Sequence, residues 1–356
     1  LPDDIKQIIL SCLPAHPNSL ARAISVCKKW KRLIATNSFR RLLIHNQKSP
    51  PFLGVFTRID GIFSFLHVGQ HPDMVRVVVF EEHLQSETND PFLNNMRIID
   101  VRHGKVLLLC TQGRILAVWD PMNGETTLTQ EPENEMNSQA SILCAANHDH
   151  KCGCNNCPIK IIWISTGKNP TKVYTFSSAT DEWKCVVCVH PYLSYVEFRS
   201  GTIVGNVMYW VLSVNHLFSF NMIDSSMSYI EQPHEVDTIL RRNVHVMKIR
   251  NDELGVADVI HFEMRICRME ADLDEIISWM PHKVIQLQRI ISFPRTTHLC
   301  WKPQAILFHV FEDREMMTVR TADGVYEVEI CNEASRRLFG LEVTVLVYPY
   351  ATLYIP

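Results

Sequence analysis

The chain lacks the short signatures that common catalytic machinery requires. It has no Gly-x-Ser-x-Gly elbow, no Walker-type phosphate loop, no His-Glu-x-x-His pair and no glycine-rich dinucleotide fingerprint. Its 16 histidines are scattered, mostly where surface or satisfied-core roles suffice. Catalysis by the chain itself is therefore not expected, and neither is a cofactor. It also lacks an N-glycosylation sequon, because the near match at Asn169 is blocked by Pro170. No signal peptide is recognisable after Leu1; since the chain opens on leucine rather than methionine, preceding residues are expected. Charge excess is small: 35 Lys+Arg face 38 Asp+Glu, a net −3 across 356 residues, so the molecule as a whole is not drawn to membranes or nucleic acid. Residues 200–223 contain no charged side chain and are long enough to cross a bilayer. Asn206, Asn215, His216 and Asn221 punctuate that stretch, so it reads as a buried β-hairpin around an Asn-His turn, and no membrane span is expected.

What is present in quantity is cysteine, 12 in all, together with 46% hydrophobic and 21% charged residues. This is the composition of a folded chain long enough for one small and one large domain. The cysteines are dispersed and many sit in apolar runs, which favours buried reduced thiols over a secreted disulfide framework. One cluster tempts a metal reading: His148, His150, Cys152, Cys154 and Cys157 offer zinc-type donors. A second pair, Cys185 and Cys188, is a candidate mate, but 182–189 reads as a strand, where residues three apart point to opposite faces. A polar loop with incidental thiols is the preferred reading, and no metal is assigned.

The first 45 residues differ from everything after them. Asp4 with Gln7 suggests a capping box, followed by Ile5, Ile8, Ile9, Cys12 and Leu13 on one helical face, stopped at Leu13-Pro14. A longer second helix is expected from Asn18 or Ser19, with Ala23, Val26, Cys27, Trp30, Leu33 and Ile34 as its apolar stripe. Ser38 is expected to cap a third helix carrying Phe39, Leu42 and Leu43. A unit this small cannot enclose so much apolar surface, so part of it must meet a partner or the rest of the chain. The segment holds eight Lys/Arg against Asp3 and Asp4, a net +6, which leaves −9 for the remainder. A basic-helix nucleic-acid binder is thus a rival reading, opposed by that acidic remainder and by the absence of a turn glycine between the second and third helices.

Leu1-Pro2-Asp3-Asp4-Ile5, Leu13-Pro14, Leu20 and the run Val26-Cys27-Lys28-Lys29-Trp30-Lys31-Arg32-Leu33-Ile34 resemble an F-box in content and order. Pro50-Pro51-Phe52-Leu53-Gly54-Val55-Phe56 is similar to the segment that follows the F-box in a large group of grass F-box proteins, and weaker similarity to that group runs through the remainder. The resemblance implies a substrate-recognition subunit of an Skp–cullin–F-box ubiquitin ligase. Leu1, Pro2, Ile5, Ile8, Leu13, Pro14, Leu20, Val26, Cys27 and Trp30 match the motif positions that contact the Skp adaptor or hold its fold.

After Pro50 and Pro51, helical periodicity gives way to short β-branched and aromatic runs, somewhat over two dozen of them, too many for one sandwich. A loose repeat of two apolar strands followed by a polar turn starts at 106–119, 161–176, 207–220 and 306–328, with turns at 120–126, 177–183, 221–226 and 331–335. Its spacing of around 45 to 60 residues is near the kelch class. Residues 269–280 have the spacing of a short helix. The expected fold is α+β by segments: a three-helix, all-α F-box at 1–45, then an all-β domain at 46–356, a kelch-like β-propeller of about six blades closed by strands near 52–56 and 342–354. Two stacked sheets or an incomplete propeller are the rival architecture. The expected role is an adaptor binding Skp through the helices, reaching a cullin and a RING subunit through it, and holding an unknown target protein on the β domain, in cytoplasm or nucleus. Polar segments 85–95 and 131–139 are candidate target contacts; no target-binding residue is singled out. A propeller interaction module without a ligase role is the alternative.

Overall fold

The computed structural model describes residues 2–13, 17–46, 52–59, 62–67, 77–79, 96–110, 113–122, 124–132, 137–145, 157–166, 170–190, 195–197, 200–213, 215–233, 244–260, 262–271, 277–291, 306–310, 316–321, 324–340 and 348–351. The N-terminal unit has four helices rather than three: α1 (Asp3–Ser11), α2 (Pro17–Val26), α3 (Lys28–Ile34) and α4 (Asn37–Asn46). The expected long second helix breaks at Cys27, whose backbone is extended (φ −164°, ψ 159°). The break redirects α3 so that Ile34 shares a core with Leu10, Leu20, Ala23, Phe39 and Leu43. No local propensity requires this turn; packing imposes it.

The expected caps also shift by a residue or more. Pro2 precedes α1 and no side chain caps it, while Asp3 and Asp4 occupy the first turn, where carboxylates suit the helix dipole. Gln7 does not close a capping box. Its amide donates to the Thr36 and Ser38 hydroxyls at 3.2 and 3.3 Å, tying α1 to the start of α4. Thr36, not Ser38, caps α4 by accepting the Phe39 N–H at 3.2 Å. Proline opens α2, a position where its missing N–H costs nothing.

The rest of the described chain forms six four-stranded antiparallel sheets, the blades of a six-bladed β-propeller. Blade I contains β1 (Phe52–Ile59), β2 (Ile62–His67) and β3 (Val77–Val79). Blade II is β4 (Met96–Arg102), β5 (Lys105–Cys110), β6 (Ile115–Trp119) and β7 (Thr126–Gln130). Blade III is β8 (Ser138–Cys144), β9 (Ile159–Ser165), β10 (Thr171–Ser177) and β11 (Glu182–Val189). Blade IV is β12 (Thr202–Val204), β13 (Val207–Val211), β14 (His216–Asn221) and β15 (Met227–Glu231), so the uncharged stretch folds as strands. Blade V is β16 (His245–Ile249), β17 (Glu253–Ile260), β18 (Glu263–Ala271) and β19 (Ile277–Gln286), followed by the short α5 (Leu287–Ile290). Blade VI is β20 (Ile306–Val310), β21 (Met316–Thr321), β22 (Gly324–Glu329) and β23 (Ala334–Phe339). The last strand, β24 (Tyr348–Ala351), pairs with β1 and completes blade I. Chain start and chain end thus close the ring, as expected from the sequence, and the Tyr348 and Tyr350 hydroxyls donate to the Ile98 and Gly104 carbonyls of blade II.

The apolar runs fail to alternate because both faces of a blade are covered. In β5, Val106, Leu108 and Cys110 pack toward blade I, while Leu107 and Leu109 pack toward blade III. In β9, Ile161 and Trp163 join the cluster shared with blade II, and Ile162 and Ile164 the one shared with blade IV. Residues expected to be helical at 269–280 instead belong to β18 and β19 wherever they are described, with Met269 opposite Trp279. Cross-strand pairing against β17 and β18 overrides their helical spacing. Two-residue turns are made possible by positive φ, as at His103-Gly104 (54° and 73°) between β4 and β5.

Candidate functional site

The N-terminal unit completes its own core and leaves a second apolar surface open. Leu10, Ile34, Phe39 and Leu43 are at most 2% exposed, whereas Ile5, Ile8 and Ile9 on α1 stand 38%, 49% and 53% exposed and Val26 at the end of α2 stands 63% exposed. Large aliphatic side chains this open are uncommon when they share one small unit. Pro2, Cys12 and Cys27 are exposed as well. Exposed Lys28, Lys29, Lys31 and Arg32 add positive charge along α3. Lys29 reaches Asp3 at 2.8 Å and Lys6 reaches it at 3.2 Å; their hydrogen bonds hold the Asp3 carboxyl below its usual range, and Asp3 in turn raises Lys29. The contact orients α1 against α3 but, fully in water, adds little stability.

The residues singled out from the sequence divide into three groups. Pro2, Ile5, Ile8, Val26 and Cys27 are on the surface. Leu20 is buried, and Leu13 and Trp30 are half-buried against the unit's core. Leu1 and Pro14 lie outside the described residues. Ile9, more open than Ile5 or Ile8, belongs with the surface group; its signal was the uninterrupted Ile8-Ile9-Leu10 run, too wide for a single buried stripe.

On the propeller, segment 85–95 lies outside the described residues, and 131–139 does so between 133 and 136. The latter does not end in a loop: Ser138 and Gln139 are already buried in β8. Of its described part, Glu131 lies 3.8 Å from the Arg114 guanidinium, and burial pushes its carboxyl up against the pull of Arg114 and Arg97. His148, His150, Cys152 and Cys154 lie outside the described residues, while Cys157 is half-buried just before β9. The geometric objection to the Cys185–Cys188 pair fails. β11 bulges at Val186, so Cys188 faces Lys172 and Cys185 faces Tyr174, which puts both thiols on the same side of the sheet. Both are exposed, yet among the described residues no group of three or more His, Cys, Asp or Glu could hold a metal. The thiols are less buried than expected: of the nine described cysteines only Cys110 is fully enclosed.

One charged site had no signature in the sequence. Asp100, 1% exposed, accepts the N–H of Val101 and the N–H of Ile142 from blade III, each at 2.9 Å. Arg102 lies 3.4 Å from it and donates to the Gly201 carbonyl of blade IV at 2.5 Å. Burial pushes the Asp100 carboxyl above its usual range, and Arg102 with the surrounding hydrogen bonds pulls it back. The arrangement laces three blades together; it is a structural clasp with no access for a substrate.

Comparison with known proteins agrees with both halves of this description. Residues 1–45 match the family described as F-box-like, and residues 64–356 match the F-box associated beta propeller domain. A protein named as an F-box protein in Arabidopsis thaliana is 26% identical over 243 residues, covering 59% of this chain and 57% of the relative. A second from the same plant is 28% identical over 198 residues, covering 54% and 50%. The chain thus spans about half the length of these curated relatives. Among solved structures, a chain from a nidogen/laminin complex superposes with a TM-score of 0.44 at 10% identity over 84% of this chain and 97% of that one, a likeness without functional weight. With an F-box-like segment followed by a matching propeller over most of its length, the chain belongs to the plant F-box proteins that carry an F-box-associated β-propeller.

Proposed function

We propose that the protein is the substrate-recognition subunit of an Skp–cullin–F-box ubiquitin ligase. The observation that carries this reading is the exposure of four large aliphatic side chains, Ile5, Ile8 and Ile9 on α1 and Val26 at the end of α2, which stay in water although the helical unit has a closed core of its own. Covering four such side chains with a partner recovers on the order of 25 cal/mol for each Å² of apolar surface removed from water. An apolar centre within a polar rim is the usual anatomy of a protein–protein interface. The partner is the Skp adaptor, through which a cullin and a RING subunit are reached.

In this reading the protein catalyses nothing and needs no cofactor. It holds a target protein on the propeller and so raises the effective concentration of the target's lysines at the conjugating enzyme. Its place of work is the cytoplasm or nucleus, where such ligases meet their targets. The test is reconstitution: the full chain is co-expressed with a plant Skp adaptor, mixed with cullin and RING subunits, and resolved by size-exclusion chromatography. Co-elution of all four supports the proposal. A folded chain that elutes alone at micromolar concentration contradicts it.

A further inference from the structure

The outer strand of each blade is its edge toward water. Among the described outer strands, β3, β7, β11, β15, β19 and β23, β11 alone carries cysteine, and it carries two. Cysteine is among the residues most often buried, yet Cys185 and Cys188 are both exposed. The bulge in β11 sets their relation. In a regular strand residues three apart point to opposite faces. With Val186 as the extra residue, Cys185 stands opposite Tyr174 and Cys188 opposite Lys172, two positions apart on β10. Val186, Val187 and Val189 take the other face, where they pack in the cluster shared with blade IV. The two thiols therefore share one face, with backbones about 6.6 Å apart, the rise of two strand residues. Cys185 leans along that gap. Its Sγ–H donates to the Val187 carbonyl at 3.3 Å, the carbonyl joined to the Cys188 nitrogen.

This spacing is too wide for a disulfide and suits a bridging ion. A disulfide needs Cβ atoms about 3.5–4.5 Å apart, closer than two neighbours on one face of a strand stand. A metal ion about 2.3 Å from each sulfur spans a gap of up to about 4.6 Å when the three atoms lie in line. The chemistry of the donors then selects the ion. Structural zinc takes four ligands, and among the described residues no group of three or more His, Cys, Asp or Glu could hold a metal. Monovalent copper is selected by soft sulfur and is satisfied by two thiolates.

We propose that Cys185 and Cys188 form a two-thiolate site for one Cu(I) ion on the outer edge of blade III. Each thiol gives its proton to water as its sulfur binds the ion, and Cys185 gives up its weak bond to the Val187 carbonyl. No electron is transferred. Two thiolates and one monovalent cation leave a single negative charge on the loaded site. Lys172, the cross-strand neighbour of Cys188, lies on the same face as that charge. The inference concerns the propeller alone and does not depend on the ligase reading.

The test uses the full chain, reduced and kept from air, and Cu(I) supplied as its complex with a chromophoric chelator. Metal passing to the protein is read from the loss of the chelate's absorbance. Cys185→Ser and Cys188→Ser are each expected to take up one equivalent less than the wild type. Two control variants are expected to keep that equivalent. One changes Cys12, Cys27 and Cys331, exposed cysteines elsewhere on the chain, to serine. The other combines Cys154→Ser with Cys157→Ser, the second Cys-x-x-Cys of the sequence. Circular dichroism and urea midpoints accompany every variant, and Cys188→Ala replaces Cys188→Ser if serine disturbs the strand. No uptake by the folded wild type would overturn the proposal. So would wild-type uptake by either folded single variant, or an equivalent lost only in a control.

Discussion

In blade III, Ile161, Ile162, Trp163 and Ile164 are all fully enclosed, with blade II over one side and blade IV over the other. In α1, Ile8 and Ile9 are about half in water while Leu10 beside them is buried. The two runs are equally apolar. They differ in how many sides their fold covers. A blade inside a ring has neighbours on both faces, whereas a helix on a four-helix unit has one core-facing stripe and must leave the rest to solvent or to a partner. The same hydrophobicity therefore reads as stability in one region and as recognition in the other.

That contrast can be broken by substitution. Trp163→Ala should cost about 3–5 kcal/mol in urea denaturation, the range for an aromatic removed from a core that cannot collapse. Asp100→Ala should cost a similar amount, about 3–5 kcal/mol, because Arg102 would be left buried without its carboxylate. Gly201→Ala tests close packing: its new Cβ would lie 2.7 Å from Trp210 Nε1, and the forced shift should cost about 1–3 kcal/mol. In the helical unit, Thr36→Ala should cost about 1 kcal/mol through loss of the α4 cap. Smallest of all, Ile8→Ser with Ile9→Ser should move stability by no more than about 0.5 kcal/mol per site, since neither side chain is enclosed.

The clasp also makes a pH prediction. Burial lifts the Asp100 carboxyl above its ordinary 3.8, so the folded state holds that proton more tightly than the unfolded chain does. The group's favourable contribution is then fully present at low pH and declines as pH rises from 3.8 through the folded value. Asp100→Asn should remove that decline from the pH profile of the denaturation midpoint. An unchanged profile would show that Arg102 and the N–H donors cancel the effect of burial, and a change in the opposite sense that they outweigh it.

Much of this was legible in the sequence, for reasons that explain the exceptions. Strands such as β5, β9 and β13 announce themselves because β-branched and aromatic runs bounded by turn residues have no better use than a sheet covered on both faces. The polar turns at 120–126, 177–183 and 221–226 marked the repeat because each blade needs the same reversal. Features fixed by tertiary packing were not legible. Cys27 gives no local sign of breaking a helix, and 269–280 satisfied a helical period that cross-strand pairing overrode. The bulge at Val186 reversed a face assignment that strict alternation made look secure. The Asp100 clasp joins residues about 40 and 100 positions apart, which no spacing rule connects.

The central claim is that α1 and the end of α2 carry apolar surface reserved for a partner. The most direct test is titration calorimetry of the full chain against a plant Skp adaptor, wild type beside Ile8→Ser with Ile9→Ser, with circular dichroism and urea midpoints recorded for both. The account predicts binding by the wild type and at least about a hundredfold loss in a variant whose spectrum and midpoint are unchanged, as for removal of two central anchors. Undiminished binding by that folded variant would contradict it.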